Sequence, residues 1–305
     1  MDLNGDGHVD ILSGSYSRQS ADMAGLFQVL WGSESGFAEA ATLQGNDGEP
    51  LIIERVPEGD DMTVRICTRP SACDLNGDGH LDILSGNFEG TFHVFWGEEG
   101  HTFNPESEPL PGARGTLKHD YHSDPFPIDW DGDGDLDIVA GSGGGQVSLA
   151  LNSGSATEPR FTTFETLIPS KPRFAMDDEL HFGHEHIKAP RGSTRVFVAD
   201  VNGDGVHDVL VGDTGDLSYL LEGKTEEETR KAYAKWSAAR DALMDEYPRD
   251  HEAEDYEERR EAWSDRYGAH YDSLGEIVDT GGRGMVFLYP GRLEGPAVVD
   301  AGAAR

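Results

Sequence analysis

The chain has 305 residues, and its 58 acidic against 24 basic side chains give a formal net charge of −34. Such an acidic protein repels nucleic acid and anionic membrane surfaces, so neither is an expected partner. No apolar run approaches the roughly 18 residues that a membrane-spanning helix needs, so membrane insertion is excluded as well. The length is sufficient for a sizeable core.

A motif opens the chain and then recurs three times. Its first copy is Asp2-Leu-Asn-Gly-Asp-Gly-His-Val-Asp-Ile-Leu-Ser-Gly14, and the later copies start at Asp74, Asp129 and Asp200. The intervals of 55 to 72 residues between these starts are each long enough for one four-stranded sheet. The self-similarity therefore predicts a repeat protein.

Apolar segments typical of β-strands flank the motifs. Thr194–Ala199 precedes the fourth copy, and a second strand follows each copy at Leu26–Trp31, Thr91–Trp96, Gln146–Leu151 and Met285–Tyr289. The predicted unit is strand, Asp-rich loop, strand, turn, strand, turn, strand. Because one sheet cannot bury both of its faces, we expect the units to pack on one another, radially as blades or as a stack. The predicted class is all-β.

Residues 224–275 break this pattern. Thr225 followed by three Glu residues predicts a helix start, aromatic residues recur at spacings of three and four, and Pro248 ends the first helix. The same spacing resumes at Tyr256 and continues to Gly275. We predict blades over residues 1–223, an inserted helical hairpin over 224–275, and the closing strand of the last blade with a tail over 276–305. The aromatic stripe favours helix–helix packing over a partner-binding face.

The motif loops have the chemistry of calcium sites. Ca²⁺ prefers six to eight oxygen ligands, and each loop offers side-chain oxygen at positions 1, 3, 5 and 9 and a backbone carbonyl at position 7. Glycines at positions 4 and 6 allow the chain to wrap tightly. An EF-hand is excluded because it needs Glu at position 12 and flanking helices. The candidate ligands are Asp2, Asn4, Asp6, His8, Asp10, Asp74, Asn76, Asp78, His80, Asp82, Asp129, Asp131, Asp133, Asp135, Asp137, Asp200, Asn202, Asp204, Val206 and Asp208.

The alternative is that Asn-Gly-Asp-Gly only makes good turns. Four copies with oxygen at the same positions favour calcium, and the loop at Asp129, with five Asp residues, is expected to bind it most tightly. Two other groups leave alternatives open. Cys67 and Cys73 can be a disulfide or free thiols. His181, His184 and His186 can be a transition-metal or catalytic site, although ordinary loop histidines are favoured because no matching carboxylate or Cys spacing accompanies them.

The motif resembles the FG-GAP/VCBS repeat, found in integrin α-subunit propellers and in many bacterial secreted proteins, with the bacterial VCBS form the closer match. The resemblance implies a β-propeller of four-stranded blades with one Ca²⁺ in each motif loop. Such propellers usually have seven blades, whereas four motifs predict a partial or small propeller of about four to five blades. Because the first copy lacks its preceding strand, we hypothesise an N-terminally truncated product; the rival is a complete small ring closed by the C-terminal strand.

Four metal loops without a catalytic constellation favour a non-enzymatic binding or adhesion module that recognises a protein or a glycan. It is expected to be secreted, periplasmic or on the cell surface. The alternative function is a carbohydrate-active enzyme, similar to a polysaccharide lyase or a dehydratase. Such an enzyme needs a general base, for which the cluster from His181 to His186 is the candidate.

Overall fold

The computed structural model describes residues 1–15, 24–53, 65–170, 180–183, 187 and 189–291. This part of the chain is mostly antiparallel β-structure with two α-helices, as predicted. The chain divides into two compact units. Unit 1 comprises Met1–Arg173, Ala189–Asp213 and Met285–Arg305, and unit 2 comprises Phe174–Lys188 and Thr214–Gly284.

The elements follow one another in this order along the chain: β1 (Ile11–Ser13), β2 (Gln28–Leu30), β3 (Gly32–Ser33), β4 (Gly36–Phe37), β5 (Ala41–Thr42), β6 (Arg69–Cys73), β7 (Asp82–Gly86), β8 (Phe92–Phe95), β9 (Gly97–Glu98), β10 (Thr102–Phe103), β11 (Glu108–Pro109), β12 (Pro111–Gly112), β13 (Gly115–Thr116), β14 (Asp124–Ile128), β15 (Asp137–Gly141), β16 (Val147–Ala150), β17 (Glu165–Ile168), β18 (Arg195–Ala199), β19 (Asp208–Tyr219), α1 (Glu226–Asp245), α2 (Tyr256–Asp272), a 3₁₀ turn (Ser273–Glu276) and β20 (Asp279–Tyr289).

The larger sheets of the described chain each contain one motif. Sheet 1 has the order β1-β2-β5, sheet 2 the order β6-β7-β8-β11, sheet 3 the order β14-β15-β16-β17, and sheet 4 the order β18-β19-β20. Within sheets 2, 3 and 4, the motif loop joins the first two strands. The residue pairs that flank the loop are Cys73 with Asp82 in sheet 2, Ile128 with Asp137 in sheet 3, and Ala199 with Asp208 in sheet 4. The remaining strands form the hairpins β3–β4, β9–β10 and β12–β13.

Three apolar cores lie between consecutive sheets. Neighbouring residues of one strand point to opposite faces, so Ile83 packs into the core shared with sheet 1 and Leu84 into the core shared with sheet 3. In the next repeat, Ile138 and Val139 divide in the same way between the second and third cores. A sheet that is buried on both faces needs apolar residues on both, which explains why the strand after each motif is a continuous apolar run.

A repeated pair of hydrogen bonds ties each sheet to the next. Between sheets 3 and 4, the Ser142 N–H donates to Thr194 Oγ1 at 2.8 Å, and the Thr194 N–H donates to the Ser142 carbonyl at 3.0 Å. The same reciprocal pair joins Ser15 to Thr68 and Asn87 to Ser123. The accepting hydroxyl groups belong to buried residues, so each bond is shielded from water. We call these three pairs the clasps.

Each clasp needs a glycine immediately before it. A Cβ added at Gly141 would lie 2.6 Å from the Thr194 carbonyl oxygen, closer than any real side chain approaches. A Cβ added at Gly86 or Gly14 would likewise lie too close to the carbonyl oxygen of Ser123 or Thr68, respectively. At Gly212, the equivalent residue of sheet 4, the nearest atom to such a Cβ is Arg195 Cβ at 3.6 Å, an ordinary contact.

The two helices of unit 2 pack through their aromatic residues. Thr225 caps α1 as predicted, since its hydroxyl accepts from the Glu228 N–H and the Glu228 carboxylate accepts from the Thr225 N–H. The Trp236 indole N–H donates to the His270 carbonyl at 2.9 Å, and the two rings stack at 4.9 Å. Neither helix in the described part of the chain is long and apolar enough to cross a bilayer.

The clasps give a prediction for two equivalent glycines. Gly141→Ala is expected to lower the free energy of unfolding by about 1–3 kcal/mol, because the new methyl group forces sheets 3 and 4 apart. Gly212→Ala should change it by no more than about 0.5 kcal/mol. Urea unfolding of both variants measures the difference, and equal losses in the two variants would show that the glycine requirement does not come from the clasp.

Candidate metal centres

The four motif loops share one backbone conformation. The glycines at positions 4 and 6 of every loop have φ between +71° and +96°, a left-handed conformation that favours glycine. This confirms the expectation that the two glycines let the chain wrap tightly. The side chains at positions 1 and 5 of every loop accept from backbone N–H groups within the same loop.

Position 1 organises each loop. In the fourth copy, Asp200 Oδ1 accepts from the Gly203 N–H at 2.6 Å and from the Asp204 N–H at 3.1 Å, while Oδ2 accepts from the Gly205 N–H at 2.8 Å. Asp2 makes the same three bonds in the first copy. These N–H donors, that of Gly205 most strongly, hold the pKa of Asp200 below its usual value, so the carboxylate is charged and suited to binding a cation.

Positions 3 and 5 are joined by a side-chain hydrogen bond where position 3 is Asn. The Asn4 amide donates from Nδ2 to Asp6 Oδ2 at 3.0 Å, and its Oδ1 accepts from the Asp6 N–H. The second and fourth copies repeat this arrangement. The residues at position 7, His8, His80 and Val206, donate their N–H groups to the position 5 carboxylate. That their carbonyls contribute to a metal site stays a prediction.

Position 9 has a second role that the sequence did not indicate. Asp82 is fully buried, and its Oδ2 accepts from the Leu75 N–H at 2.8 Å within the loop. Its Oδ1 accepts from the Gly97 N–H at 2.7 Å, beyond the end of β8. One carboxylate therefore connects the loop, the second strand and the third strand. Asp10 and Asp137 make the equivalent bonds in their repeats.

The fourth repeat keeps this connection across the helical insertion. Asp208 Oδ2 accepts from the Val201 N–H, and its Oδ1 accepts from the Gly291 N–H at 2.8 Å, 83 residues further along the chain. Gly291 lies two residues after β20, just as Gly97 lies two residues after β8. β20 therefore takes the place of the third strand in this repeat, although two helices precede it.

The third loop brings the most negative charge together. Asp129, Asp131 and Asp137 each offer an oxygen within 4.8 Å of the others. Asp135 Oδ1 is inaccessible to water and has no hydrogen-bond partner in the described part of the chain. Burial, followed by the neighbouring carboxylates of Asp133 and Asp137, raises the pKa of Asp135. Hard oxygen donors with an orphaned carboxylate oxygen fit a divalent cation such as Ca²⁺.

The other candidates from the sequence are the two cysteines and the histidine cluster. No disulfide joins Cys67 to Cys73, and burial raises the pKa of the Cys73 thiol far above its usual value. The His181 N–H donates to Ser218 Oγ at 3.2 Å, which is a backbone contact. The predicted cluster is completed by His184 and His186, which lie outside the described residues.

A family model described as an FG-GAP-like repeat matches residues 74–140 and 129–211. Each matched segment begins at position 1 of one motif and ends in the strand that follows the next motif. The matched unit therefore includes two loops and the last three strands of the sheet between them. No curated protein and no solved structure matches the chain significantly.

The two roles of position 9 can be separated by mutation. In the presence of a chelator, Asp82→Asn is expected to lower the free energy of unfolding by about 1–3 kcal/mol, because the amide NH₂ meets a buried N–H donor that is left without an acceptor. Asp78→Asn, at the exposed position 5 of the same loop, should cost clearly less. Chemical unfolding in chelator compares the two, and equal costs would contradict the structural role of position 9.

Asp82 also gives the stability a pH dependence. Burial raises the pKa of Asp82 to about 6 from the ordinary 3.8, despite the opposing N–H groups of Gly97 and Leu75. A raised pKa means that the folded protein holds a proton which the unfolded chain has lost. In chelator, the stability advantage of the native protein over Asp82→Asn should therefore be largest below pH 3.8 and shrink as the pH rises to about 6. An advantage that grows over this range would show a lowered pKa instead.

Proposed function

We propose that the protein is a calcium-bound, β-propeller-type interaction module, on the basis that an FG-GAP-like repeat model matches residues 74–211. The observation that carries the proposal is the third loop, in which three carboxylates converge and a fourth has an oxygen without a partner. An interaction module is the coarse function that the repeat family suggests. Calcium gives that module its rigidity.

The packing of the sheets supports the propeller. Three consecutive cores and three clasps bind sheets 1 to 4 in order. In addition, β14 packs against both β6 and β18, so the first strands of neighbouring sheets lie together. We propose that the four sheets are consecutive blades arranged around these first strands.

Calcium would act as a scaffold ion in every loop. The carboxylates at positions 1, 5 and 9 repel one another, and a divalent cation removes that repulsion. Position 9 keeps its two backbone hydrogen bonds while sharing an ion, because a carboxylate has about four lone-pair sites. The ion would then strengthen the connection between loop and strands. No reacting group is required for this role, in keeping with a non-enzymatic protein.

The proposed location is outside the cytoplasm: secreted, periplasmic or on the cell surface. Loops of this exposed type are expected to bind Ca²⁺ at about 10⁻⁴–10⁻³ M, the range of extracellular modules. The net charge of −34 disfavours nucleic acid as the partner, which leaves a protein or a glycan. A glycan array run alongside a turnover assay tests this, since binding without product supports a module and product formation contradicts it.

Metal binding at the third loop can be followed through Trp130. Trp130 occupies position 2 of this loop, where the other copies have Leu3, Leu75 and Val201. Tb³⁺, a luminescent substitute for Ca²⁺, should therefore be sensitised by Trp130 and displaced by added Ca²⁺. Trp130→Phe should remove the third loop's share of the signal. A signal that persists in Trp130→Phe would come from another site, and no signal in the native protein would overturn the third loop as a metal centre.

The stabilising effect of calcium gives a second test. Ca²⁺ at millimolar concentration should raise the melting temperature, and a chelator should reverse the rise. Asp131→Asn, which removes one charge from the third loop, should reduce the rise. Asp245→Asn, an exposed position of α1, is the matched control and should leave it unchanged. An unchanged melting temperature in the native protein would count against calcium as a scaffold ion.

A further inference from the structure

Three charged residues occupy one structural position in consecutive sheets. Arg69, Asp124 and Arg195 are the first residues of β6, β14 and β18. In the sheet register they pair with Gly86, Gly141 and Gly212, the last glycine of each motif. Equivalent positions in repeats meet when the repeats pack side by side. The repeat architecture therefore places two guanidinium groups on either side of one carboxylate.

These residues line a cleft of about 420 Å³ in unit 1, together with Gly14, Thr68 and Pro70. We call it the arginine cleft. It lies at the opposite end of the first strands from the motif loops, because β6 runs from Arg69 to Cys73 and the second loop begins at the next residue. At about 3.3 Å per residue, the five-residue strand separates the two ends by about 13 Å. The cleft is thus distinct from the metal centres.

The carboxylate in the cleft, that of Asp124, already has interaction partners in the protein. Asp124 accepts a hydrogen bond from the Val196 N–H of the neighbouring sheet and is attracted to the Arg69 guanidinium. Burial nevertheless raises its pKa to about 6. Asp124 is therefore a link between sheets 2, 3 and 4, with partners in both neighbouring sheets.

Arg195 is the second cation of the cleft, and its contacts are to backbone carbonyls. Its Nη1 donates to the carbonyls of Ser193 and Thr194 at 3.1 and 3.2 Å. No acidic residue in the described ranges forms an ion pair with it, whereas the ion pairs found there belong to the helices. The side chain is exposed on the cleft. A guanidinium presents its donors as a planar fork that matches a carboxylate, and the fork of Arg195 has no such partner among the described residues.

From this arrangement we propose that the arginine cleft binds the carboxylate of a small ligand or of a ligand's end group, with Arg195 as the principal contact and Arg69 adding positive charge. Only 24 of the 305 residues are Lys or Arg, against 58 acidic ones, so a cleft with two arginines and one acid has the opposite charge balance to the chain as a whole. Its volume is in the range of small-molecule sites, about 300–1,000 Å³.

The proposal goes beyond the proposed function and holds whether or not the loops bind calcium. A carboxylate can come from an acidic sugar or from the end of a peptide, and the probes distinguish these sources. Glucuronate represents the sugar and N-acetylglycine the peptide end. Glucose and N-acetylglycinamide are the neutral partners of the two probes, with the same shapes but without the charge.

The test is isothermal titration of the full chain with each probe, at fixed ionic strength, once with Ca²⁺ and once with chelator. At least one acid should bind saturably, and its neutral partner should bind at least about tenfold more weakly, because an Arg–carboxylate pair is a charge-assisted contact. No saturable binding of either acid in both buffers would overturn the proposal. Binding of the neutral partners with equal affinity would overturn it too.

Variants locate the contact. Arg195→Gln should weaken binding of the acid by about tenfold or more, and Arg195→Lys should recover part of the loss. Arg114→Gln, which removes an exposed cation in the β12–β13 hairpin, is the control and should bind like the native protein. An Arg195→Gln variant that binds normally, or an Arg114→Gln variant that loses as much, would place the ligand elsewhere. Circular dichroism checks that each variant is folded.

Discussion

The buried aspartate at position 9 of each motif is the interaction on which the rest of the structure depends. Asp10, Asp82, Asp137 and Asp208 each accept one N–H from the loop before them and one from the chain after the third strand. The carboxylate thus closes the hairpin and sets the register of the next strand at the same time. Because it is buried, its charge is costly without a cation. A cation in the loop would offset this cost at the place where it arises.

The motif's local structure could be predicted because its determinants are local. The two glycines, the asparagine or aspartate turns and the apolar run after position 9 all act within a dozen residues, and Thr225 marks the start of α1 on its own. Distant contacts could not be predicted in this way. The donor to Asp208 lies 83 residues away, and the clasp hydroxyl of Thr194 lies 52 residues from its donor, Ser142. The sequence has no fixed spacing from which these hydrogen-bond partners could be predicted.

Packing between repeats determines how the same residue is used in different copies. Ile11, Ile83 and Ile138 all occupy position 10. The second and third are fully buried, whereas Ile11 is 44% exposed, because no sheet in the described chain precedes sheet 1. At the other end, Phe197 of sheet 4 is 55% exposed. Burial in a repeat protein therefore comes from the neighbour rather than from the repeat itself, and the two outer sheets are the least covered.

The clasps and the position 9 aspartates act at opposite ends of the same strands. The clasp residue Thr194 directly precedes Arg195, and Ser123 directly precedes Asp124. A clasp therefore fixes the backbone from which a cleft side chain extends, while the aspartate fixes the other end of the strand. A strand that is held at both ends cannot slide, so the spacing of Arg69, Asp124 and Arg195 is determined by the backbone. A cation in the loops would reinforce one of the two anchors without contacting the cleft, which is how a scaffold ion can support binding about 13 Å away.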